Sequence, residues 1–523
     1  MSPKTIIVPV TGASNIKLEV FDFEKLECFY SLSTSTPSRH INNLEYNAPG
    51  EEFAWFDNTI RALPEHLKSC NVIAPVAKGA SGGLVGHDNT LIEEPGEDVT
   101  LSYAQRFPEA VEDRFRKLAG NSAEFFLETG SIRDFPGSLT LVKRFIFEEM
   151  ERPELLKKTA GFGTYGALMS GHFLGGNYLS AIKKAGNENS YWMCHSGARN
   201  IHESTGAPSR IAARLSSFSR LIPRQTSVVY KPLGFMPPDK ASLLGLSGFA
   251  AVIPGGHDTC LSHIPVLSTF YQAFPEGAGN SVIQVEAGTW TLVAKIGGNA
   301  ELPPDGWRHD IIVQGTVDGE PVITARYGGG NDFRYMKERA EAKGTGFTEG
   351  ADDGLLAKMA EAADCFVLPN ISPLNYGTGP FPDVKGKMIN SEFMFRVRGA
   401  AYMATTLTTA LAASIQVKAI SSDPEIPIVI TAGGGKDPFY GKLLATFTGQ
   451  RVYALVDRNG NPVTETTSLG AAIAGKAAIL GIHPYHVDTS GLELSYREIE
   501  PYVGDMKRRL ALYSERWTNS LAE

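Results

Sequence analysis

The sequence predicts an α/β protein built of two domains, and three observations carry that expectation. Apolar period-two runs alternate with helical stretches along the chain, the pattern of sheets covered by helices. Strands that run into glycine turns occur in both halves, at Gly12, Gly255-Gly256, Gly288 and Gly433-Gly434-Gly435. The 523 residues, 42% hydrophobic and 20% charged, suffice for two or three cores of ordinary soluble composition.

In chain order, residues 5–10 are a β-branched run, 11–15 a turn, and 16–22 alternate with period two, which gives a hairpin. Residues 52–67 have helical period, 71–77 read as a strand, and 139–150 as a helix that closes before Pro153. The stretch 185–245 is helical in pattern yet rich in Ser, Arg and Pro. A strand over 248–253 then ends in Pro254-Gly255-Gly256-His257-Asp258, and a domain boundary is placed here. The second half opens in the same style. A strand over 281–286 enters Ala287-Gly288-Thr289-Trp290-Thr291, and 291–295 return. A long Ala/Thr/Leu helix over 398–415 and a strand over 426–431 lead into Ala432-Gly433-Gly434-Gly435-Lys436-Asp437. A helix (443–447), a strand (451–455) and an Ala-rich helix (468–480) follow. Met394, Phe395, Tyr402 and Met403 have core spacing, and 506–521 read as a helix docked by its apolar stripe. The division expected is 1–250, 251–485, and a helical extension over 486–523.

A net charge of -8 without any long Lys/Arg block argues against a nucleic-acid surface, which needs clustered cations. Five scattered cysteines with no C-x-x-C pair form neither a disulfide framework nor a zinc site, and reduced thiols fit a cytoplasmic protein. The apolar run 6–10 is too short for a signal-peptide core or a membrane span, so no membrane partner is expected. A homodimer is left open.

Backbone N–H groups gathered at glycine turns can hold phosphate oxygens, because no Cβ blocks the approach. Each turn taken singly is more often only a turn. Asp258, at a strand end beside two glycines, can be presented into a cleft as a base; a helix-capping Asp is the competing reading.

The order of these motifs resembles the FGGY carbohydrate kinases, in particular the rhamnulose and fuculose kinase branch. Gly256-His257-Asp258-Thr259 looks like the family's Gly-x-Asp segment, and Ala287-Gly288-Thr289-Trp290 is similar to its Ser-Gly-Thr turn. Gly433-Gly434-Gly435, Gly449-Gln450-Arg451-Val452 and Gly470-Ala471-Ala472 after Glu465 match its third block. Gly377-Thr378-Gly379-Pro380-Phe381-Pro382 is similar to a segment of the rhamnulose and fuculose enzymes. The resemblance implies two actin-like, ribonuclease H-like ATPase domains flanking a cleft. It also implies ATP and Mg²⁺ as cofactors and transfer of the γ-phosphate to a hydroxyl of a ketose or related polyol. By the same resemblance Asp258 is the general base, Gly12, Ser14, Gly288, Thr289, Gly433, Gly434 and Gly435 face the nucleotide, and Ser81, Arg106, His257 and Asp258 face the sugar.

The sequence departs from the family at three places. Val10 stands where the opening Asp-x-Gly-Thr has its aspartate, which leaves the metal ligands unassigned. Ser81 stands where related kinases tend to place a sugar-binding Asp, and of the Trp-x-x-x-Arg segment only Arg106 remains, with Ser102 and Tyr103 before it. These losses support a rival reading as a non-catalytic sugar or nucleotide sensor on the kinase fold. Gly79-Ala80-Ser81-Gly82-Gly83 also satisfies Gly-x-Ser-x-Gly, but a strand and turn are expected after it where a hydrolase needs a helix. The Gly-x-Gly-x-x-Gly over 161–166 follows a helical stretch, which speaks against a dinucleotide fingerprint. Gly435-Lys436-Asp437 lacks the spacing of a P-loop.

Overall fold

The structure is a computed structural model that describes residues 4–521 apart from 136, 186–196, 203–206, 223–227, 248, 275–280, 299, 348–349, 351 and 376–378. The chain divides into two compact units, Met1–Ser268 with Val313–Pro321 and Glu465–Glu493, and Thr269–Ile312 with Val322–Thr464 and Leu494–Glu523.

The first unit opens on the expected hairpin, β1 (Thr5–Thr11) and β2 (Asn15–Asp22), and continues into β3 (Cys28–Ser35). The Gly12 N–H donates to the Asn15 carbonyl at 2.9 Å and closes the turn. The helical period at 52–67 resolves into α1 (Pro49–Arg61) and a separate 3-10 turn, Glu65–Leu67, because Pro64 has no N–H with which to continue a helix. Pro75 likewise divides the strand expected over 71–77 into β4 (Cys70–Ile73) and β5 (Val76–Ala77). The unit continues with β6 (Gly82–Gly86), α2 (Leu141–Glu151), β7 (Thr159–Thr164) and α3 (Tyr165–Phe173). Then come β8 (Gly234–Phe235), β9 (Ala251–Val252), β10 (Gly256–His257) and the start of α4 (Asp258–Ala273). In 185–245 the described residues hold only short elements such as Ser216–Leu221 and Pro238–Leu244, since frequent Pro and Ser stop helices early. Of the strand expected over 248–253, only β9 is a strand, and Gly248 lies outside the described residues.

Eight strands form the first unit's sheet, in the order β8-β9-β4-β1-β2-β3, with β5 pairing β1 and β10 pairing β5. β1 is parallel to β4 and β5, and β10 to β5, while β2 is antiparallel to both neighbours. Ile7, Ile16, Leu18 and Val20 pack with Phe53, Phe56 and Ile60 of α1 and Leu168 of α3. This burial of period-two positions against a 3.6-period helix face fixes the register of the hairpin.

The second large sheet begins with β11 (Val282–Ala287), β12 (Thr291–Ile296), β13 (Ile311–Gly315) and β14 (Pro321–Tyr327), of which Val313–Gly315 and Pro321 are counted with the first unit. These are followed by α5 (Gly329–Ala342), α6 (Asp353–Ala362), α7 (Ala400–Ile420), β15 (Ile428–Thr431), α8 (Pro438–Thr448) and β16 (Val452–Val456). After α9 (Thr466–Leu480), the chain closes on β17 (Ser495–Ile499) and α10 (Gly504–Ser520). The sheet order is β13-β14-β12-β11-β15-β16-β17. Its inner run β14-β12-β11-β15-β16 repeats β3-β2-β1-β4-β9 of the first sheet, two antiparallel pairings followed by two parallel ones. The chain thus builds the same sheet core twice from dissimilar sequence, as the two-domain actin-like ATPase fold requires.

The compact units do not coincide with the 1–250, 251–485 and 486–523 division, since the first runs on to Ser268 and takes in Val313–Pro321 and Glu465–Glu493. α9 falls in the first unit, packed on β1 and β4. Its small residues permit that approach: a Cβ on Gly475 would lie 3.0 Å from Val72 and 3.3 Å from Ile6. The tail is also not only helical, because β17 pairs antiparallel with β16. α10 docks as expected by its stripe of Leu510, Tyr513 and Trp517, with the Trp517 indole N–H donating to the Val367 carbonyl at 3.1 Å. Met394, Tyr402 and Met403 are buried, as expected, whereas Phe395 is only half-buried. Among the described residues no helix is long and apolar enough to cross a membrane.

Candidate active site

The second unit holds a cavity of about 510 Å³ built from three local structures. The first is the β11–β12 turn, where the Gly288 N–H donates to the Trp290 carbonyl at 3.0 Å. The second is a single helical turn, Ala432–Gly435, at the end of β15. Ala432 enters it at φ +57°, a left-handed conformation that is costly for alanine and is found where the surroundings enforce it. Gly434 must be glycine, since a Cβ there would come 2.5 Å from the Ala287 Cβ of β11. The third is the N-terminus of α5, where a Cβ on Gly330 would overlap the Gly288 carbonyl oxygen.

Phe333, Tyr402 and Tyr440 supply an aromatic wall to the same cavity. Tyr402 donates to Asp437 Oδ2 at 2.6 Å, and Asp437 Oδ1 caps α8 by accepting from the Phe439 and Tyr440 amides at 3.0 and 3.3 Å. Asp437→Ala removes the cap and is expected to cost about 1 kcal/mol of stability, read as a lower denaturant midpoint, whereas Asp437→Asn, also a good cap, should lose less. An apolar wall beside backbone amides and the N-terminus of a 14-residue helix is the lining a nucleotide needs. Of the sequence-predicted nucleotide residues, Gly288, Gly433 and Gly434 line this cavity. Thr289 is exposed on the adjoining turn and Gly435 is buried.

In the first unit, β1, β5 and β10 are parallel neighbours, so their carboxyl ends lie along one sheet edge, the usual position of sites in such sheets. Gly12, Lys78 and Asp258 follow these three ends. Asp258 opens α4, where the helix dipole favours a negative charge. Its Oδ1 is 2.6 Å from His257 Nε2 and accepts the Thr259 amide at 2.8 Å. Burial pushes the Asp258 carboxyl up, but the His257 ring and the Thr259 amide outweigh it and hold the group below its ordinary value. Lys78 is buried with its Nζ 2.8 Å from Glu52 of α1. Val10 faces Lys17 across the hairpin, and Lys17 pairs with Glu19 at 3.3 Å and with Glu465.

The remaining assignments are placed less centrally. Ser14 is exposed on the β1–β2 turn and Arg106 is exposed on the loop after residue 102. Ser81 is buried, and its hydroxyl donates to the Gly79 carbonyl at 3.2 Å. The chain passes from Ser81 directly into strand β6, so no helix follows the Gly-x-Ser-x-Gly sequence. The helical lead-in expected is present as Pro153–Lys158, and Gly161 and Gly163 then lie within β7, which pairs with the glycine-rich β6 and runs into α3. Gly379 to Pro382 are described, whereas Gly377 and Thr378 lie outside the described residues. The sequence reading missed Gly329 and Gly330. The signal was present, since Tyr327-Gly328-Gly329-Gly330 repeats the strand, glycine triplet and helix order of residues 428–438.

Residues 280–480 match the family model "Carbohydrate kinase FGGY, C-terminal domain". Among curated proteins none matches the sequence. A carbohydrate kinase from Novosphingobium aromaticivorans is similar in structure, with 21% identity and a TM-score of 0.74 over 100% of this chain and 99% of its own. A xylulose kinase from Lactobacillus acidophilus has 14% identity and a TM-score of 0.75 over 99% and 98%. A glycerol kinase from Plasmodium falciparum, solved with ADP, has 12% identity and a TM-score of 0.70 over 99% and 98%. Residues 280–480 are thus an FGGY carbohydrate-kinase C-terminal domain, and the chain that carries them has the two-domain actin-like fold of the sugar kinases.

Proposed function

We propose that the protein is an ATP-dependent sugar kinase that transfers the γ-phosphate to a hydroxyl of a ketose or related polyol. The observation that carries the reading is Asp258, a carboxylate at the carboxyl edge of parallel strands, held ionised by His257 and the Thr259 amide. It accepts the proton of the sugar hydroxyl while that oxygen attacks the γ-phosphorus and the bond to ADP breaks. The cavity beside Gly288, Gly330 and Gly434 is assigned to ATP, with the base against the aromatic wall and the phosphates toward the backbone amides. Gly12 and Ser14 are assigned to phosphate, and Ser81, Arg106 and His257 to the sugar, on the family resemblance. The test is sugar-dependent ADP release over a panel of ketoses and polyols; release that no sugar stimulates would contradict the reading.

Among the described residues no group of three His, Cys, Asp or Glu side chains could hold a metal. This fits Mg²⁺ that arrives on the nucleotide's own oxygens with water and at most one or two carboxylates. With Val10 in the aspartate's place and Lys17 across from it, ATP should still need Mg²⁺ but hold it weakly. Activity titrated against Mg²⁺ tests this. Saturation at very low metal, with no change in Val10→Asp, would count against it.

The sensor reading draws on Val10 and on the Ser81 hydroxyl already bonded to Gly79. It predicts sugar or nucleotide binding with no turnover, so the same ADP assay separates the two.

A further inference from the structure

The glycine turn that opens α5 is held from behind by side chains that the proposed chemistry does not use. Asp332, fully buried one turn into α5, accepts four hydrogen bonds. Its Oδ1 takes the Ser372 amide at 2.8 Å and the Asn375 side-chain amide at 2.7 Å. Its Oδ2 takes the Asn370 amide at 3.0 Å and the Tyr327 hydroxyl. Four donors occupy the four acceptor directions of a carboxylate. Burial pushes the Asp332 carboxyl up to about 6, and the four donors around it oppose that shift by favouring the charged form. Asn375 passes the grip on to the turn. Its side-chain amide also donates to the Gly328 carbonyl at 3.1 Å, and its Oδ1 accepts from Asn331 at 3.1 Å. Gly328 has no room for a side chain because the Asn375 amide fills it. Its φ of -76° lies outside the left-handed region that demands glycine, so it is the Asn375 side chain that bars a Cβ there.

We infer that Asn375, clamped by Asp332, is a positioning residue that fixes the Gly328–Gly330 turn against the nucleotide cavity and thereby sets the affinity for ATP. The chain of contact is short. Asn375 holds Gly328, Gly330 lies against Gly288, and Gly288, Gly329 and Gly330 all line the cavity. A clamp of buried, fully satisfied polar groups specifies one loop position where apolar packing would tolerate several. The inference rests on the cavity being the ATP site.

The experiment is a double-mutant cycle on Gly328→Ala and Asn375→Ala in the full chain. It reads KM for ATP, KM for sugar, direct binding of a fluorescent ADP analogue, and the thermal midpoint. Asn375→Ala should weaken ADP binding and raise KM for ATP by about tenfold, the size of a lost charge-linked hydrogen bond, with KM for sugar moving less than about twofold. Gly328→Ala should do the same by displacing Asn375. The double variant should be no worse than Asn375→Ala alone, since truncation vacates the space the new Cβ needs. Effects that multiply independently, or equal losses for ATP and sugar, would overturn the inference. So would unchanged ADP binding in the single variants when the parent binds ADP. If Asn375→Ala fails to fold, Asn375→Asp, which keeps the shape but sets a carboxylate against Asp332, should still weaken ADP binding; tight binding there would overturn the inference. A parent that binds no ADP would instead remove the site assignment beneath it.

Discussion

Asp258→Asn is expected to abolish sugar-dependent ADP release, with a loss of roughly 10²- to 10⁴-fold, while the ADP analogue still binds. Asparagine keeps the shape and hydrogen-bond reach of the side chain but cannot accept a proton from the attacking hydroxyl. The Thr259 amide at 2.8 Å can still be accepted by the amide oxygen, so the start of α4 should survive. The pH profile adds an independent check. The carboxyl lies below its ordinary value, so the base form is lost only as pH falls through that low range. Asp258 should therefore add no acid limb above about pH 4, where a free aspartate would titrate. The stability sign agrees: a depressed carboxylate stabilises the fold above its unfolded pKa and loses that contribution on acidification. An acid limb near neutrality that Asp258→Asn removes would contradict this environment.

Gly330→Ala is expected to weaken ATP binding by about 5- to 150-fold, the range that corresponds to overpacking of 1–3 kcal/mol. The new Cβ would meet the Gly288 carbonyl, which is backbone and cannot rotate away. Either the β11–β12 turn or the start of α5 must shift, and both line the cavity. Gly354→Ala on α6 is the control, because a Cβ there meets only the Asp352 carboxylate at 3.3 Å and alanine is the better helix former. Equal ADP affinity in Gly330→Ala and the parent would remove the cavity from the nucleotide site.

The parts of this molecule legible in the sequence are those set by local pattern. The hairpin at residues 5–22 showed itself through a β-branched run followed by period two, the core of the 400–420 helix through its apolar content, and the docking stripe of 504–520 through 3.6-residue spacing. Prolines were underweighted: Pro64 and Pro75 each end an element that periodicity alone would continue. The return of α9 to the first sheet was not legible, since nothing local distinguishes an Ala-rich helix packing on Val72 from one packing on a nearer strand. The site was read in the same divided way. Gly288, Gly433 and Gly434, singled out because three turns recurred in a family order, line the cavity proposed for ATP. Tyr402 was read as core, and it is buried, yet its hydroxyl also reaches Asp437 at the cavity. Asp332 and Asn375 lie 43 residues apart, and only the fold brings them together.

The central claim is phosphoryl transfer to a sugar, and its most direct measurement is ADP release by the parent protein, with mass spectrometry of the sugar, across ketoses and polyols with ATP and Mg²⁺. The account predicts that at least one sugar stimulates ADP release and is recovered phosphorylated, and that Asp258→Asn loses both signals. Binding of sugar and nucleotide without either signal, or undiminished turnover in Asp258→Asn, would contradict it.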